Sequence, residues 1–329
     1  MSFIAVGAII ISAIICFFGT KEGLKISNIL TLITLLGLIL ILIFGFRFIG
    51  SVNLLEGLNG TTLIENSFSL IPTIFSAAAI IFFAYLGFEG LANVAEETKN
   101  PKKNIPKAIL FALLITTVIY VGVAIVAVSV VTPAELAKAT TNPLTEGPLA
   151  LVADKAIGPS FGFWLSIFAL CATGSTLIVL INVASRIIYG LSEQRFLPKS
   201  FLSLTKKTQV PYLAVITVTL FAVCFALIGN LQLLGSIATM CTFLLFFVVN
   251  VSLLAIKFKE KSLFSKNNPL LPQTSTLLAT LGTIFCGFMF FTQFWNPLTI
   301  FGIEIPLIGI GVILFVISIP VYYLVKKIK

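Results

Sequence analysis

Nine apolar stretches, at about 2–18, 27–46, 69–95, 107–131, 160–190, 211–228, 231–256, 272–292 and 304–325, follow one another so closely that little polypeptide is left between them. A hydrocarbon core of roughly 30 Å takes about 20 mostly apolar residues to cross as a helix. Each stretch meets that length, the first only loosely. Lipid offers the backbone no hydrogen-bond partner, so a segment that enters it must pair its N–H and C=O groups internally, as a helix or within a closed barrel. Barrel strands alternate polar with apolar residues, and these runs do not. The expected fold class is an all-α integral membrane protein of about nine transmembrane helices, consistent with 58% hydrophobic and only 10% charged residues. The longest connections, about 47–68 and 132–159, hold only fragmentary helical pattern, such as "PAELAKA" and "GPLALVADKA". Residues 1–329 therefore read as a single polytopic membrane domain.

Charge orders these spans. Of 21 Lys and Arg residues, all but Arg47, Lys138 and Lys155 fall on alternate connections or at the C-terminus: Lys21 and Lys25, Lys99 to Lys107, Arg186 to Lys207, Lys257 to Lys266, and Lys326 to Lys329. Under the positive-inside rule this predicts a cytoplasmic C-terminus and, with nine spans, an N-terminus outside, in the cell membrane. The net charge of +9 is then topogenic and lipid-facing, and no nucleic-acid partner is expected. Gly229-Asn230 suits a tight outer hairpin between the sixth and seventh spans. "NPKKNIPKAI" suggests a helix stop at Asn100-Pro101 and a restart at Asn104-Ile105-Pro106.

The same composition narrows the chemistry. Histidine is absent, removing the commonest general base and zinc ligand, so no catalytic residue, metal or other cofactor is expected and the chain does not read as an enzyme. Its five cysteines, all within spans, read as small core residues rather than a disulfide framework. Ser2 and Phe3 lack the basic start of a signal peptide, so the first span is expected to stay in the mature protein. Nothing marks the ring of ligands of a channel.

Two spans are unusual. The third, "FFAYLGFEGLANVAEE" in its second half, would be about 40 Å long as one helix, and it sets Glu89 between Gly87-Phe88 and Gly90. Each glycine weakens a helix by about 1 kcal/mol. A broken helix is tolerated at membrane depth beside a cavity or inside protein, which makes Glu89 a candidate functional site. The alternative is that Glu89 sits near the headgroups beside Lys99 and Lys102, as Glu96 and Glu97 are expected to. The fifth span carries Ala172-Thr173-Gly174-Ser175-Thr176, a run that either lets helices approach and hydrogen-bond or offers oxygens to an ion or substrate. Asn182 and Ser185 continue this polar stripe.

The segment "FFAYLGFEGLANVAEETKNPKKNIPKAI" resembles the sixth transmembrane helix and following loop of amino-acid permeases in the amino acid–polyamine–organocation family. "ASRIIYGLSEQRFLPKSFLSLTKKTQVP" is similar to that family's loop after the eighth helix, and "GTKEGLKISNILTLITLLGLILILIFG" to its fifth helix and the loop before it. The resemblance implies that the nine spans correspond to helices four to twelve of a twelve-helix permease: a partial five-plus-five inverted-repeat transporter fold lacking the first three helices. It implies amino-acid transport by alternating access, as symporter or antiporter. Phe83 would lie over the substrate, with Ala84, Tyr85 and Leu86 as the unwound backbone by its ammonium group and Gly87 as the break. Glu89, with Gly90, would couple the site to gating.

Departures from the family pattern set further expectations. Without the family's first helix, half of its binding site has no counterpart here, so the chain is expected to be a fragment, a shortened gene product, or one part of a pair in which a separate polypeptide supplies the rest. A transport-incompetent fragment or assembly partner is the competing reading. Thr34 stands where proton-coupled relatives often hold a lysine, which weakens a proton route and favours exchange or facilitated transport. Sodium coupling through Thr173, Ser175 or Thr176 stays open. Ser192-Glu193-Gln194 replaces a more usual charged stretch. The small number of buried charges leans toward neutral amino acids as substrate.

Overall fold

The computed structural model describes residues 2–50, 74, 77–78, 81–93, 98–141, 147–228, 231–259, 274–294, 297–300 and 303–306. These form helices α1 (Ser2–Phe17), α2 (Thr20–Gly45), α3 (Gly90–Asn93), α4 (Pro101–Val130), α5 (Pro133–Thr141), α6 (Pro148–Ala156), α7 (Phe161–Glu193), α8 (Tyr212–Ile228), α9 (Leu231–Lys259) and α10 (Thr274–Phe294). Single 3-10 turns lie at Phe46–Phe48, Phe83–Tyr85 and Lys199–Leu202, and strands β1 (Pro297–Ile300) and β2 (Ile303–Pro306) pair as an antiparallel hairpin. Among the described residues four helical stretches are long and apolar enough to cross a membrane: Thr20–Phe48, Pro101–Val130, Phe161–Glu193 and Leu234–Lys259. Phe3–Phe17, Tyr212–Leu227 and Thr276–Phe291 are shorter apolar helices. The protein is an integral membrane protein of predominantly helical build.

Several boundaries differ from the sequence expectation for physical reasons. Helix α2 begins at Thr20, a full turn or more before the apolar run, because its polar first turns suit a helix start. Glu22 lies where the helix dipole favours an anion and accepts a 2.9 Å bond from Lys25 Nζ. Helix α4 starts at Pro101 rather than at 104–106. Asn100 turns the chain at φ 50°, Pro101 occupies the first helical position, and the Asn104 amide donates 2.6 Å back to the Lys99 carbonyl. Pro106 then lies inside the helix and forfeits a single main-chain bond. "PAELAKA" and "GPLALVADKA" are true short helices, α5 and α6. The expected ninth span is corrected at its start, since Glu304–Pro306 belongs to β2, with Ile300 opposite Ile303. β-Branched Thr299, Ile300, Ile303 and Ile305 between two prolines favour extended backbone. Residues 307–325, the Gly229-Asn230 turn, Glu96 and Glu97, and residues 69–73, 75–76, 79–80 and 94–95 of the third span lie outside the described residues.

The chain divides into two compact units, residues 1–64 with 87–229, and residues 65–86 with 230–329. In the first, α2 packs along α7. The approach is closest at Gly37, where an added Cβ would lie 2.3 Å from Phe168 Cδ2. Two cores flank this seam: Ala13, Cys16, Ile178, Ile181, Val210 and Val215 toward one end, and Ile41, Val126, Val131, Val152, Ala153 and Leu165 toward the other. In the second unit α9 packs on α10, around Phe243 and Met289 with Ala78, Phe82 and Phe290 against them. Lys257 Nζ donates to Thr276 Oγ1 across the pair.

Within the first unit, the basic connections gather at one end. The α1–α2 turn lies against the loop after α7, a Cβ on Gly19 meeting Thr208 at 3.6 Å. The opposite end holds the minority cations, and structure occupies at least two of them. Arg47 Nη2 donates 2.6 Å to the Ala156 carbonyl at the end of α6, with its guanidinium 5.0 Å over the Phe48 ring, and Lys155 pairs with Glu135 at 3.0 Å. Asp154 Oδ1 accepts 2.7 Å from Gly162 N and so caps the start of α7. At the start of α5, Thr132 and Glu135 satisfy each other's amides in a capping box.

Candidate functional site

The third span is broken at the glycines. The 3-10 turn Phe83–Tyr85 ends as Leu86 becomes extended, φ −59° and ψ 139°. Gly87 follows at φ +119°, with open space where a Cβ would stand. This glycine is therefore required by backbone conformation and not by packing. Helix resumes at Gly90, whose amide donates 3.0 Å to the Gly87 carbonyl. In a continuous helix Gly87 N–H would bond the Phe83 carbonyl. Leu86 N–H bonds that carbonyl at 3.2 Å instead, and the Gly87 amide donates 2.9 Å to Glu89 Oε2. Glu89 is half-buried. Its carboxylate thus has a local task that sequence alone did not reveal: it accepts the main-chain donor that the break releases. Such charge-assisted bonds are roughly twice as strong as neutral ones. Gly90 packs against Val183 of α7, 3.5 Å from an added Cβ.

Around the break the other expected residues divide. Phe83 is 44% exposed, its ring edge 4.0 Å from where a Cβ on Gly235 would stand. Phe82 is the anchored aromatic, stacked on Phe243 with centroids 4.5 Å apart and edge-on to Phe246. Sequence reasoning did not single out Phe82, because a Phe-Phe pair gives no local sign of which ring finds a partner. Ala84 is exposed, and Tyr85 and Leu86 are partly buried.

The hydroxyls of the fifth span, now within α7, do not converge. Ser175 is buried and bonds across to α2, 2.8 Å from Ser27 Oγ and 2.7 Å from Thr31 Oγ1, and it donates 3.1 Å to the Ser27 carbonyl. Thr173 and Thr176 lie on an exposed face and donate back to the Ala169 and Ala172 carbonyls at 2.9 Å. Ser185 bonds the Asn182 carbonyl at 2.8 Å. Ser175 thereby works as helix-to-helix glue, while the two threonines satisfy their own turns.

Thr34 lines an apolar cavity of about 310 Å3 with Leu38, Pro148, Leu165, Phe168 and Ala172. Its hydroxyl donates to the Leu30 carbonyl at 2.9 Å and the Phe168 carbonyl at 3.3 Å. Ser166, also in the wall, bonds the Gly162 carbonyl. Among the described residues no three His, Cys, Asp or Glu side chains gather as a metal site. The cysteines are free, with Cys16 and Cys286 buried. Away from the spans, Lys155 and the Thr132 groups hold the Glu135 carboxyl below the usual carboxylate range.

Comparison with known proteins joins these features to a family. The family described as amino acid permease matches residues 1–320; it is a family of permeases and not of enzymes. The branched-chain amino acid permease BcaP of Bacillus subtilis (strain 168) is 27% identical over 287 residues, 85% of this chain and 56% of that protein. The methylthioribose transporter of the same organism is 26% identical over 260 residues, 78% of this chain and 52% of that one. Cationic amino acid transporter 4, vacuolar, of Arabidopsis thaliana is 28% identical over 255 residues, 76% and 40% of the two chains. The chain spans about half the length of the curated relatives it matches.

Proposed function

The chain belongs to the amino acid permease family, and from that premise we propose that it moves amino acids across the cell membrane by alternating access, as a secondary active transporter or exchanger. The observation that carries the reading is the break at Gly87, with its amide held by Glu89. Interrupted helices of this kind present main-chain groups to substrates in many transporters. In this proposal Phe83 to Gly87 contact the substrate, Gly87 and Gly90 are the hinge, and Glu89 exchanges its hold on the Gly87 amide during gating. Thr34, uncharged and bonded to backbone, favours exchange over a lysine-based proton route. Thr173 and Thr176 are the α7 hydroxyls left for a coupling ion, since Ser175 is committed to α2.

The nine spans are assigned to helices four to twelve of the family's inverted-repeat fold, with the N-terminus outside and the C-terminus in the cytoplasm. The gathering of basic connections at one end of the first unit supports that sidedness. Relatives of similar identity carry names with different substrates, branched-chain, cationic and methylthioribose, so the lean toward neutral amino acids rests on the small number of buried charges.

Uptake and counterflow of labelled leucine and arginine into proteoliposomes test this proposal. The expected result is leucine counterflow that vanishes in Gly87→Leu, with helical content retained. The competing reading is that the chain works only beside a polypeptide carrying further helices, or does not transport. Silent proteoliposomes containing folded, inserted parent protein would establish that reading and overturn the first.

A further inference from the structure

The loop after α7 is built more firmly than a connection needs to be. Thr205 holds it closed: its amide donates 3.0 Å to the Val210 carbonyl, its hydroxyl donates 2.7 Å to the same carbonyl, and Val210 N–H returns 3.1 Å to that hydroxyl. Thr208 Oγ1 donates to Thr205 Oγ1 at 3.2 Å, and Gln209 N donates to the Thr205 carbonyl at 3.0 Å. Leu204 pairs with Pro211 across the base. This turn presents Lys206 and Lys207, both exposed, at its tip.

Two non-glycine residues in left-handed backbone frame it, Arg195 at φ 62° and Gln209 at φ 53°. At Arg195 the chain closes α7 with Phe196 N–H donating 2.8 Å to the Leu191 carbonyl, the helix ending in which glycine is usual. A cation there gains from the helix dipole and adds to the patch. Lys199 lies in the next 3-10 turn, and the Gly19–Thr208 approach brings Lys21 and Lys25 of α2 to the same end. Against these six cations stand two carboxylates, Glu22, which pairs with Lys25, and the exposed Glu193. Phe196 and Leu204 are exposed apolar residues within the basic surface.

The position of the patch selects its ligand. Helix α7, 33 residues long, would measure about 50 Å, so its end emerges from a hydrocarbon core of roughly 30 Å at the level of the headgroups. Basic residues with apolar side chains among them are the chemistry of an anionic membrane surface. We propose that the Lys206-Lys207 turn, with Arg195, Lys199, Lys21 and Lys25, is a preformed site for the phosphodiester headgroup of an anionic phospholipid. The site engages the lipid of one leaflet.

The test uses the full chain in phosphatidylcholine nanodiscs, comparing immobilisation of spin-labelled phosphatidylglycerol with spin-labelled phosphatidylcholine. The parent should prefer the anionic lipid. K206A/K207A should lower that preference about 5-fold per lysine at low salt, and K206R/K207R should restore most of it. Thr205→Val leaves every cation in place but removes the hydroxyl that closes the turn, and it should lower the preference as well. An unchanged preference in K206A/K207A overturns the site. An unchanged preference in Thr205→Val reduces it to diffuse charge and overturns the preformed turn. Loss of the preference on adding inorganic phosphate at constant ionic strength would identify a soluble anion site instead of a lipid one.

Discussion

The seam between α2 and α7 makes a sharp demand at Gly37. A Cβ there would stand 2.3 Å from Phe168 Cδ2 and 3.0 Å from Cγ, where carbon atoms ordinarily meet at about 3.5–4.0 Å. Atoms so near the root of the ring cannot swing clear without moving the side chain as a whole, and Phe168 packs against the Ile41–Val126–Leu165 core. Gly37→Ala should therefore cost about 1–3 kcal/mol in overpacking. The better helix propensity of alanine returns up to about 1 kcal/mol, leaving a net loss of roughly 0–3 kcal/mol. Equilibrium unfolding of purified protein in detergent, by SDS titration followed by far-UV circular dichroism, measures it. Gly7→Ala in α1 is the control, since its Cβ finds no atom within 4 Å; it should leave stability unchanged or slightly raised. Phe168→Ala removes the obstacle, so the double variant should be more stable than the two single losses imply, with a coupling of about 1–3 kcal/mol. A Gly37→Ala protein more stable than the parent, or a coupling of zero, would refute the close approach.

Three further outcomes follow from particular bonds. Gly87→Ala should lose transport although space is open, because φ +119° strains any L side chain by about 1–3 kcal/mol; Glu89→Gln, which keeps an acceptor for the Gly87 amide, should be milder than Glu89→Ala in the same uptake assay. Ser175→Ala removes the hydroxyl that Ser27 and Thr31 bond across the helices, leaving Ser27 its longer 3.4 Å bond to the Ser175 carbonyl, and should lower unfolding stability by about 0.6–2 kcal/mol, read by the same titration. Glu135, whose carboxyl titrates below the ordinary range because of Lys155, contributes stability that is present above its unfolded pKa of about 4.3 and lost as pH falls through the lower folded value. Lys155→Met should flatten that acid limb of a thermal-stability profile, with no change near neutral pH beyond loss of the pair.

The break in the third span was legible because Gly87, Glu89 and Gly90 violate the apolar pattern in a segment too long for one crossing. The use of Glu89 was not, since its partner is a main-chain amide exposed only once the helix has opened. Composition left two readings for Thr173 to Thr176, and packing divided them: Ser175 faces α2, while its neighbours face away. The start of α4 moved to Pro101 because Asn100 adopts a left-handed turn that local propensity does not announce. The role of Arg47 depends on the end of α6, far along the chain, and no spacing rule could have joined them. Hydropathy anticipated the four long apolar helices among the described residues, but residues 303–306 show its limit, since β-branched residues between prolines satisfy an apolar window without being helical.

The stacking of Phe82 on Phe243 also has a consequence in time. The second unit takes residues 65–86 from one part of the chain and 230–329 from another, so about 140 residues must be synthesised between the two halves. At a ribosomal rate of about 5–20 residues per second the ring of Phe82 waits roughly 7 to 30 s for its partner. During that interval the insertion machinery or lipid must shelter it, and a ribosomal pause placed before Phe243 would lengthen the exposure. Misassembly should therefore be sensitive to translation speed across residues 87–229, with the final amino-acid sequence unchanged.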